Sequence, residues 1–98
     1  MEHVSIESIK KKFKNMTNGT KLITELIKHQ PIGLHFRDEE IELLLKQHPN
    51  QGKITEIEYL VVQIRRPYNQ PALFVKNTTD ILEQDISYKY CLKALYSK

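Results

Sequence analysis

The spacing of apolar residues changes twice along this chain, and the two changes limit the folds that it can adopt. As far as Pro49, apolar residues recur every three or four positions, which is typical of amphipathic helices. From Ile54 they alternate with a period of two, as in a strand, and from Ser87 the helical spacing returns. A chain of 98 residues has room for one domain. We therefore expect an α+β fold, in which N-terminal helices precede a three-stranded antiparallel β-sheet and a C-terminal helix packs on it.

Three helices are predicted before the sheet. The first covers residues 5–16 with Ser5 as a typical N-cap, and Asn18-Gly19 then breaks the pattern as a turn would. The second covers residues 20–29. Asp38 opens the third helix as an N-cap residue. His48-Pro49 closes it, because proline disfavours helical geometry in the residue before it.

Three strands are expected next. Residues 54–64 are apolar on both faces, which predicts a central strand that is covered on both sides. A loop bracketed by prolines, residues 65–71, leads to a second strand over residues 73–76. Turn-forming residues 77–80 separate this strand from a third one over residues 81–86.

The last helix is expected to begin after Ser87, its predicted N-cap. Its apolar face is formed by residues at positions i, i+3, i+4, i+7 and i+8, namely Tyr88, Cys91, Leu92, Leu95 and Tyr96. Such a face is typical of a helix that packs on the rest of the domain.

Composition and cysteine content indicate the type of domain and its cellular compartment, but they say little about its function. The formal net charge is +3 and the hydrophobic content is 40%, which favours a folded and mildly basic domain. Cys91 is the single cysteine, so an internal disulfide framework is excluded and a reducing compartment is favoured. The sequence has neither a secretory signal nor an apolar stretch of about 18 residues. We expect a cytoplasmic protein with no membrane partner.

The sequence offers no legible catalytic or metal-binding cluster. His29, His35 and His48 lie in different predicted elements, and neither His-Glu-x-x-His nor Cys-x-x-Cys spacing occurs. Cys91 lies on an apolar helix face, which favours a buried and inert thiol. The three glutamates of residues 39–42 are expected to form a solvated face at a helix start. We predict no metal, no cofactor and no enzymatic activity.

Nucleic-acid contact is the one chemistry that the side chains suggest. The loop that begins at Arg65 holds two guanidinium groups, a tyrosine ring and two amides, which are the groups that recognise single-stranded RNA. Lysines can add contacts to phosphates. The alternative is an exposed loop with no ligand. The candidate nucleic-acid-binding residues are Arg65, Arg66, Tyr68, Lys76 and Lys89.

Several motifs from Asp38 onward occur in the same order in a known family. They are Ile41-Glu-Leu-Leu-Leu-Lys-Gln-His-Pro49, Lys53-Ile54, Leu73-Phe-Val75 and Asp85-Ile-Ser-Tyr-Lys-Tyr-Cys-Leu-Lys-Ala94. They resemble the leucine-rich helix ending in His-Pro, the Lys-Ile-Gly motif, the second strand and the closing Asp-Phe-Ser-Tyr-x-Lys-Cys segment of the DCL ("defective chloroplasts and leaves") domain family. Thr55 replaces the glycine of that family, and Tyr90 replaces its lysine.

The resemblance implies a role in RNA metabolism, because plant members of the family act in plastid ribosomal RNA processing. It implies one domain over residues 1–98, with a helical part over 1–37 and a family-like core over 38–96. The expected function is a non-enzymatic RNA-binding or ribosomal RNA processing accessory protein. The alternative is a protein-interaction module that docks on a polymerase or ribosome-assembly factor through the acidic third-helix start or the basic first helix. The oligomeric state stays open.

Overall fold

Helices from both ends of the chain pack on a three-stranded antiparallel sheet, so the α+β expectation is confirmed. The computed structural model describes residues 4–50 and 54–97. Its elements are α1 (Ile6–Phe13), α2 (Met16–His29), α3 (Glu39–Leu45), β1 (Ile57–Arg65), β2 (Gln70–Asn77), β3 (Gln84–Asp85) and α4 (Tyr88–Tyr96).

The hydrophobic core lies between the helices and one face of the sheet. Leu60 and Val62 of β1 belong to it together with Leu73 and Val75 of β2, which are their partners in the antiparallel ladder. The alternation of β1 therefore predicted this strand correctly, and the structure shows which of its two apolar faces points to the core. A register shift between Ile57 and Tyr59 turns Ile57 toward the same core.

The prediction that the first strand is central is wrong. The strand order is β1-β2-β3, so β2 lies in the middle. The free edge of β1 meets the chain before α3, where Ile32 and Phe36 form isolated bridges to Val62 and Leu60. Val61 is fully buried although it faces away from the core cluster. The outer face of β1 is therefore apolar and buried at Val61 although no second layer of helices covers it among the described residues.

The break between the first two helices lies earlier than predicted. Asn18-Gly19 was expected in a turn, but both residues lie inside α2. The break occurs at Lys14, whose φ of 66° ends α1, and at Asn15, whose side chain caps α2 by accepting a hydrogen bond from the Asn18 amide at 2.8 Å. Gly19 is buried at a helix contact, so its small size serves packing and not chain reversal.

The third predicted strand is much shorter in the structure. Of residues 81–86, only Gln84 and Asp85 pair with β2. Asp80 accepts hydrogen bonds from the side-chain amides of Asn77 and Gln84, which fixes a turn ahead of β3. Ile81 and Leu82 lie on this turn, and their side chains are exposed.

Asp38 and Ser87 occupy the N-cap positions of α3 and α4, as the sequence predicts. Asp38 caps α3, because its carboxylate accepts hydrogen bonds from the amides of Glu40 and Ile41 at 3.0 and 3.1 Å. The helix ends at Leu45, three residues before the predicted His48-Pro49 boundary. Ser87 precedes α4, but its side chain makes no capping hydrogen bond.

Cys91 is fully buried at the contact between α3 and α4. Its thiol donates to the Leu45 carbonyl oxygen at 3.7 Å, and the neighbouring Leu92 and Leu95 are buried as well. The prediction of a buried core thiol is therefore confirmed.

Candidate nucleic-acid interface

The predicted loop over residues 65–71 is a tight hairpin tip. Arg65 and Gln70 pair directly in the β1–β2 ladder, so only residues 66–69 form the turn. The turn contains a cis peptide bond between Arg66 and Pro67, and Asn69 has a φ of 53°, which asparagine tolerates. Arg66 is exposed, and Tyr68 is 72% exposed. The hairpin therefore holds a guanidinium group and an aromatic ring in solvent.

Arg65 is bound within the protein. Its Nε and Nη2 atoms donate to the two carboxylate oxygens of Asp85, both at 2.6 Å. The hydrogen bonds from Arg65 to Asp85, with the opposite charge, outweigh burial and raise the pKa of Arg65. A bidentate pair of this kind has a fixed geometry. Arg65 therefore joins the hairpin tip to β3, and its charge is largely balanced by Asp85.

A groove of about 520 Å³ lies beside the hairpin tip, between α2 and the start of α4. Its charged lining residues are Arg65 and Lys89, which are both cations. The Tyr88 hydroxyl lies 3.0 Å from the Thr24 hydroxyl, which connects α4 to α2 across the groove wall. The lining residues are Thr24, Ile27, Arg65, Gln70, Pro71, Ala72, Ser87, Tyr88, Lys89 and Tyr90.

Lys76 lies at the other end of the hairpin. It is six residues from Gln70 along β2, which corresponds to roughly 20 Å of extended strand. Its Nζ donates to the Glu58 carboxylate at 3.3 Å and to the Asn77 carbonyl at 3.0 Å, and its side chain is 14% exposed. The structure thus brings Arg65, Arg66, Tyr68 and Lys89 to one end of the molecule and leaves Lys76 outside that group.

The acidic start of α3 is largely paired within the protein. Glu40 forms an ion pair with Lys12 of α1. Glu42 accepts two hydrogen bonds from Arg37 at 2.7 and 2.9 Å and one from the Asp38 amide at 2.9 Å. The expected solvated face is therefore wrong for Glu42, whose side chain is 11% exposed. Helical spacing could not reveal this, because Arg37 lies before the helix.

Of the groove residues, only Arg65 and Lys89 were candidates from the sequence, and Thr24 and Tyr90 are among those that were missed. Thr24 was assigned only to a helix, and Tyr90 was noted only as a departure from the family pattern. Tyr90 falls outside the apolar spacing of α4 and is 58% exposed, and its ring meets His48 edge-on with 6.3 Å between the ring centroids. An aromatic residue on the solvent side of a helix is the signal that could have identified it.

The described residues contain neither a cluster of metal ligands nor a membrane-spanning helix. Within residues 4–50 and 54–97, no three His, Cys, Asp or Glu side chains come together as metal ligands would. None of the described helices is long and apolar enough to cross a bilayer.

No family model, curated protein or solved structure matches this chain. The likeness to the DCL family therefore rests on the motif residues alone.

Proposed function

We propose that this protein is a non-enzymatic RNA-binding domain, and that it acts as an accessory in ribosomal RNA processing, as the resemblance to the DCL family implies. The observation that carries the proposal is the groove beside the hairpin tip, whose charged lining residues are both cations. Asp85 balances Arg65, and Lys89 forms no ion pair among the described residues, so Lys89 gives the groove its positive charge. An RNA backbone carries one negative charge per nucleotide, so an open groove with this lining attracts it.

The exposed side chains around this groove can contact the phosphate and the base of a nucleotide. Among the described residues, neither Arg66 nor Lys89 forms an ion pair, so both are available to phosphate oxygens. Tyr68 and Tyr90 are exposed aromatic rings, and stacking of a base on such a ring contributes about 1–3 kcal/mol. We name Arg66, Tyr68, Lys89 and Tyr90 the tip surface.

Two of the five candidate residues have a different part in this proposal. Arg65 positions the hairpin tip through Asp85, so it supports the tip surface more than it contacts phosphate. Lys76 is paired with Glu58 at the far end of the sheet and contributes no contact to the tip surface.

The test is a salt titration of RNA binding. Fluorescence anisotropy with a labelled single-stranded RNA should give an affinity that falls as KCl increases, with a slope of about −0.7 per phosphate contact. The double variant Arg66→Ala/Lys89→Ala should bind more weakly and lose about one to two contacts from this slope.

Lys93→Ala is the matched control, because Lys93 is an exposed lysine one turn further along α4. This variant should bind as the unaltered protein does. Absence of binding at low salt, or equal affinity of the double variant and the unaltered protein, would overturn the proposal.

A protein-interaction module is the second candidate function, and one observation favours it. Ile81 and Leu82 are 92% and 75% exposed on a turn that Asp80 fixes through hydrogen bonds. Exposed adjacent aliphatic side chains are typical of docking surfaces. The sequence predicts such contacts at the acidic start of α3 or on the basic first helix. The acidic start of α3 is largely paired with Lys12 and Arg37. A partner that is retained after nuclease treatment and lost in Leu82→Asp would support this function.

A further inference from the structure

We propose that the groove between the β1–β2 hairpin tip and the start of α4 takes a single unstacked nucleotide, so that the RNA bound is single-stranded. This inference rests on the RNA-binding function proposed above and names the form of RNA that the same site accepts.

The dimensions of the groove favour one nucleotide over a helix of paired bases. Its volume of about 520 Å³ lies within the range of about 300–1,000 Å³ that small-molecule sites have. Bases in a duplex are stacked and paired, so their faces are not accessible to a groove of this size. Only a base that has left the stack can enter it.

The walls of the groove suit the flat, apolar faces of a base. Ile27, Pro71 and Ala72 supply aliphatic surface, and Ile27 and Ala72 are otherwise buried in the fold. Tyr90 supplies an aromatic ring that is 58% exposed. Base stacking on tyrosine needs such an accessible ring, and aliphatic contacts exclude water from the other face of the base.

The polar groups of the groove can hold the remaining parts of a nucleotide. Gln70 lies exposed at the start of β2, and its side-chain amide has both donors and an acceptor for the edge of a base. Lys89 is exposed on the same groove and can neutralise a phosphate. Asp85, which pairs with the lining residue Arg65, has both carboxylate oxygens bound by Arg65. The lining thus favours an anionic ligand that carries a planar polar ring.

The back of the groove is held in place before any ligand arrives. The hydroxyls of Tyr88 and Thr24 are 3.0 Å apart, and the pair with Asp85 holds the lining residue Arg65 in place. Little conformational entropy is then lost when a nucleotide binds, because the groove walls are already in position.

The experiment compares one RNA sequence in two forms. A labelled single-stranded decamer and the same decamer in a blunt duplex are titrated with the full chain at one low salt concentration. We expect the single strand to bind at least tenfold more tightly. Tyr90→Leu, which removes the ring and keeps every charge, should weaken single-strand binding about tenfold and leave the salt slope unchanged.

A second variant keeps the test informative if the first one disturbs the helix. Gln70→Leu removes the amide at an exposed strand position and should weaken single-strand binding several-fold. Leu82→Ala, an exposed apolar position away from the groove, is the control and should bind normally. Chemical denaturation of each variant shows whether folding is preserved.

The outcomes separate the two proposals. Equal affinity for the single strand and the duplex would overturn the inference, as would full affinity in both Tyr90→Leu and Gln70→Leu. In either case salt-dependent RNA binding would still stand. No binding of either RNA form at low salt would overturn the RNA-binding function itself and this inference with it.

Discussion

Gly19 lies in α2 at a position that has no room for a side chain. A Cβ atom placed on it would lie 2.7 Å from Cδ2 of Leu92 and 3.3 Å from Cβ of Phe13. Leu92 and Phe13 are both buried, so neither has free space to move into. The glycine therefore sets how closely α2 and α4 approach each other.

We expect Gly19→Ala to destabilise the fold by about 1–2 kcal/mol. Overpacking of a core costs about 1–3 kcal/mol, and the higher helix propensity of alanine offsets up to about 1 kcal/mol of it. Urea denaturation followed by circular dichroism measures the change. Thr17→Ala, at an exposed position of the same helix, should be neutral or slightly stabilising. A more stable Gly19→Ala protein would show that Leu92 has another rotamer available.

Glu42 gives the protein a pH-dependent contribution to stability. Burial of its carboxyl group opposes ionisation, but the hydrogen bonds from Arg37 and the Asp38 amide, with the charges of Arg37 and Lys46, outweigh burial and lower its pKa. A lowered pKa means that the ionised form stabilises the folded state. This contribution is complete above the unfolded pKa of about 4.3 and is lost as the pH falls through the folded pKa.

Glu42→Gln should therefore lower the free energy of unfolding at pH 7 by about 1.5–3 kcal/mol, the range for hydrogen bonds to charged groups. The difference from the unaltered protein should shrink as the pH falls below about 4.3 and through the lowered pKa of Glu42, because protonated Glu42 is neutral, as glutamine is. Urea denaturation at pH 7 and pH 3 measures it. Glu39→Gln, on the exposed side of the same helix, should change little at either pH. A difference that is the same at both pH values would contradict the ionic explanation.

At the scale of elements, polar side chains join the three strands across the outer face of the sheet. Glu83, just before β3, accepts a hydrogen bond from the Tyr59 hydroxyl at 2.7 Å and one from the Gln63 amide at 3.0 Å, and both partners lie on β1. The His35 ring stacks on Tyr59 with 3.6 Å between the ring centroids. These contacts cover the outer face of β1 near Val61 and shield it from solvent. An edge strand can therefore be apolar on both faces.

The Tyr59–Glu83 contact should be visible in a spectroscopic titration. The hydrogen bond to Glu83, burial and the charges of Glu83 and Glu58 raise the pKa of Tyr59 to about 12. The neutral phenol stabilises the fold, so this contribution is complete below the unfolded pKa of about 10 and is lost as the pH rises through about 12. In Glu83→Gln, absorbance at 295 nm should show one tyrosine ionising at lower pH. Glu56→Gln, at an exposed position, should leave that tyrosine unchanged.

Local chemistry decided which elements could be predicted from the sequence. Asp38 was recognisable as a cap because its hydrogen bonds reach only two and three residues ahead. The sequence predicts a turn at Gly19. Its actual role, to make room for Leu92, could not be predicted, because the two residues are far apart in the chain. The third strand was overestimated for a related reason. Apolar Ile81 and Leu82 favour a strand, but the hydrogen bonds of Asp80 place them on a turn.

At the scale of the whole molecule, the candidate site is assembled from distant segments. Arg66 and Tyr68 could be predicted because a proline-bracketed loop exposes them wherever it lies. The ion pair that holds Arg65 joins residues 20 positions apart, and the groove exists only because α2 packs beside α4. The sequence could therefore indicate the side chains of a nucleic-acid contact, but not the cavity that they surround.

The two ends of the hairpin also differ in charge. The tip carries Arg66 and, on the adjoining groove, Lys89. The far end carries Glu58, paired with Lys76, and Asp80, bound to neutral amides. An electrostatic field of this kind orients an approaching polyanion toward the tip. The folded molecule thereby separates the basic tip surface from the exposed Ile81–Leu82 turn, so the two proposed contact surfaces do not overlap.

Cooperativity of the whole domain can be measured at Cys91. Its thiol is fully buried and donates to α3, so a thiol reagent should react only after the domain opens. Ile9→Val, in the core of α1, should cost about 0.5–1.5 kcal/mol. If opening is global, this distant change should speed Cys91 labelling by about 2- to 12-fold, the same factor by which it raises the unfolding constant.

Labelling with a chromogenic disulfide reagent at several urea concentrations gives the rate, and equilibrium denaturation gives the unfolding constant. Leu82→Ala is the control, because its exposed side chain should affect neither quantity. If Ile9→Val lowers stability and leaves the labelling rate unchanged, α4 opens without the rest of the domain. In that case the groove, which is built on the start of α4, would be a site that opens and closes independently of the core.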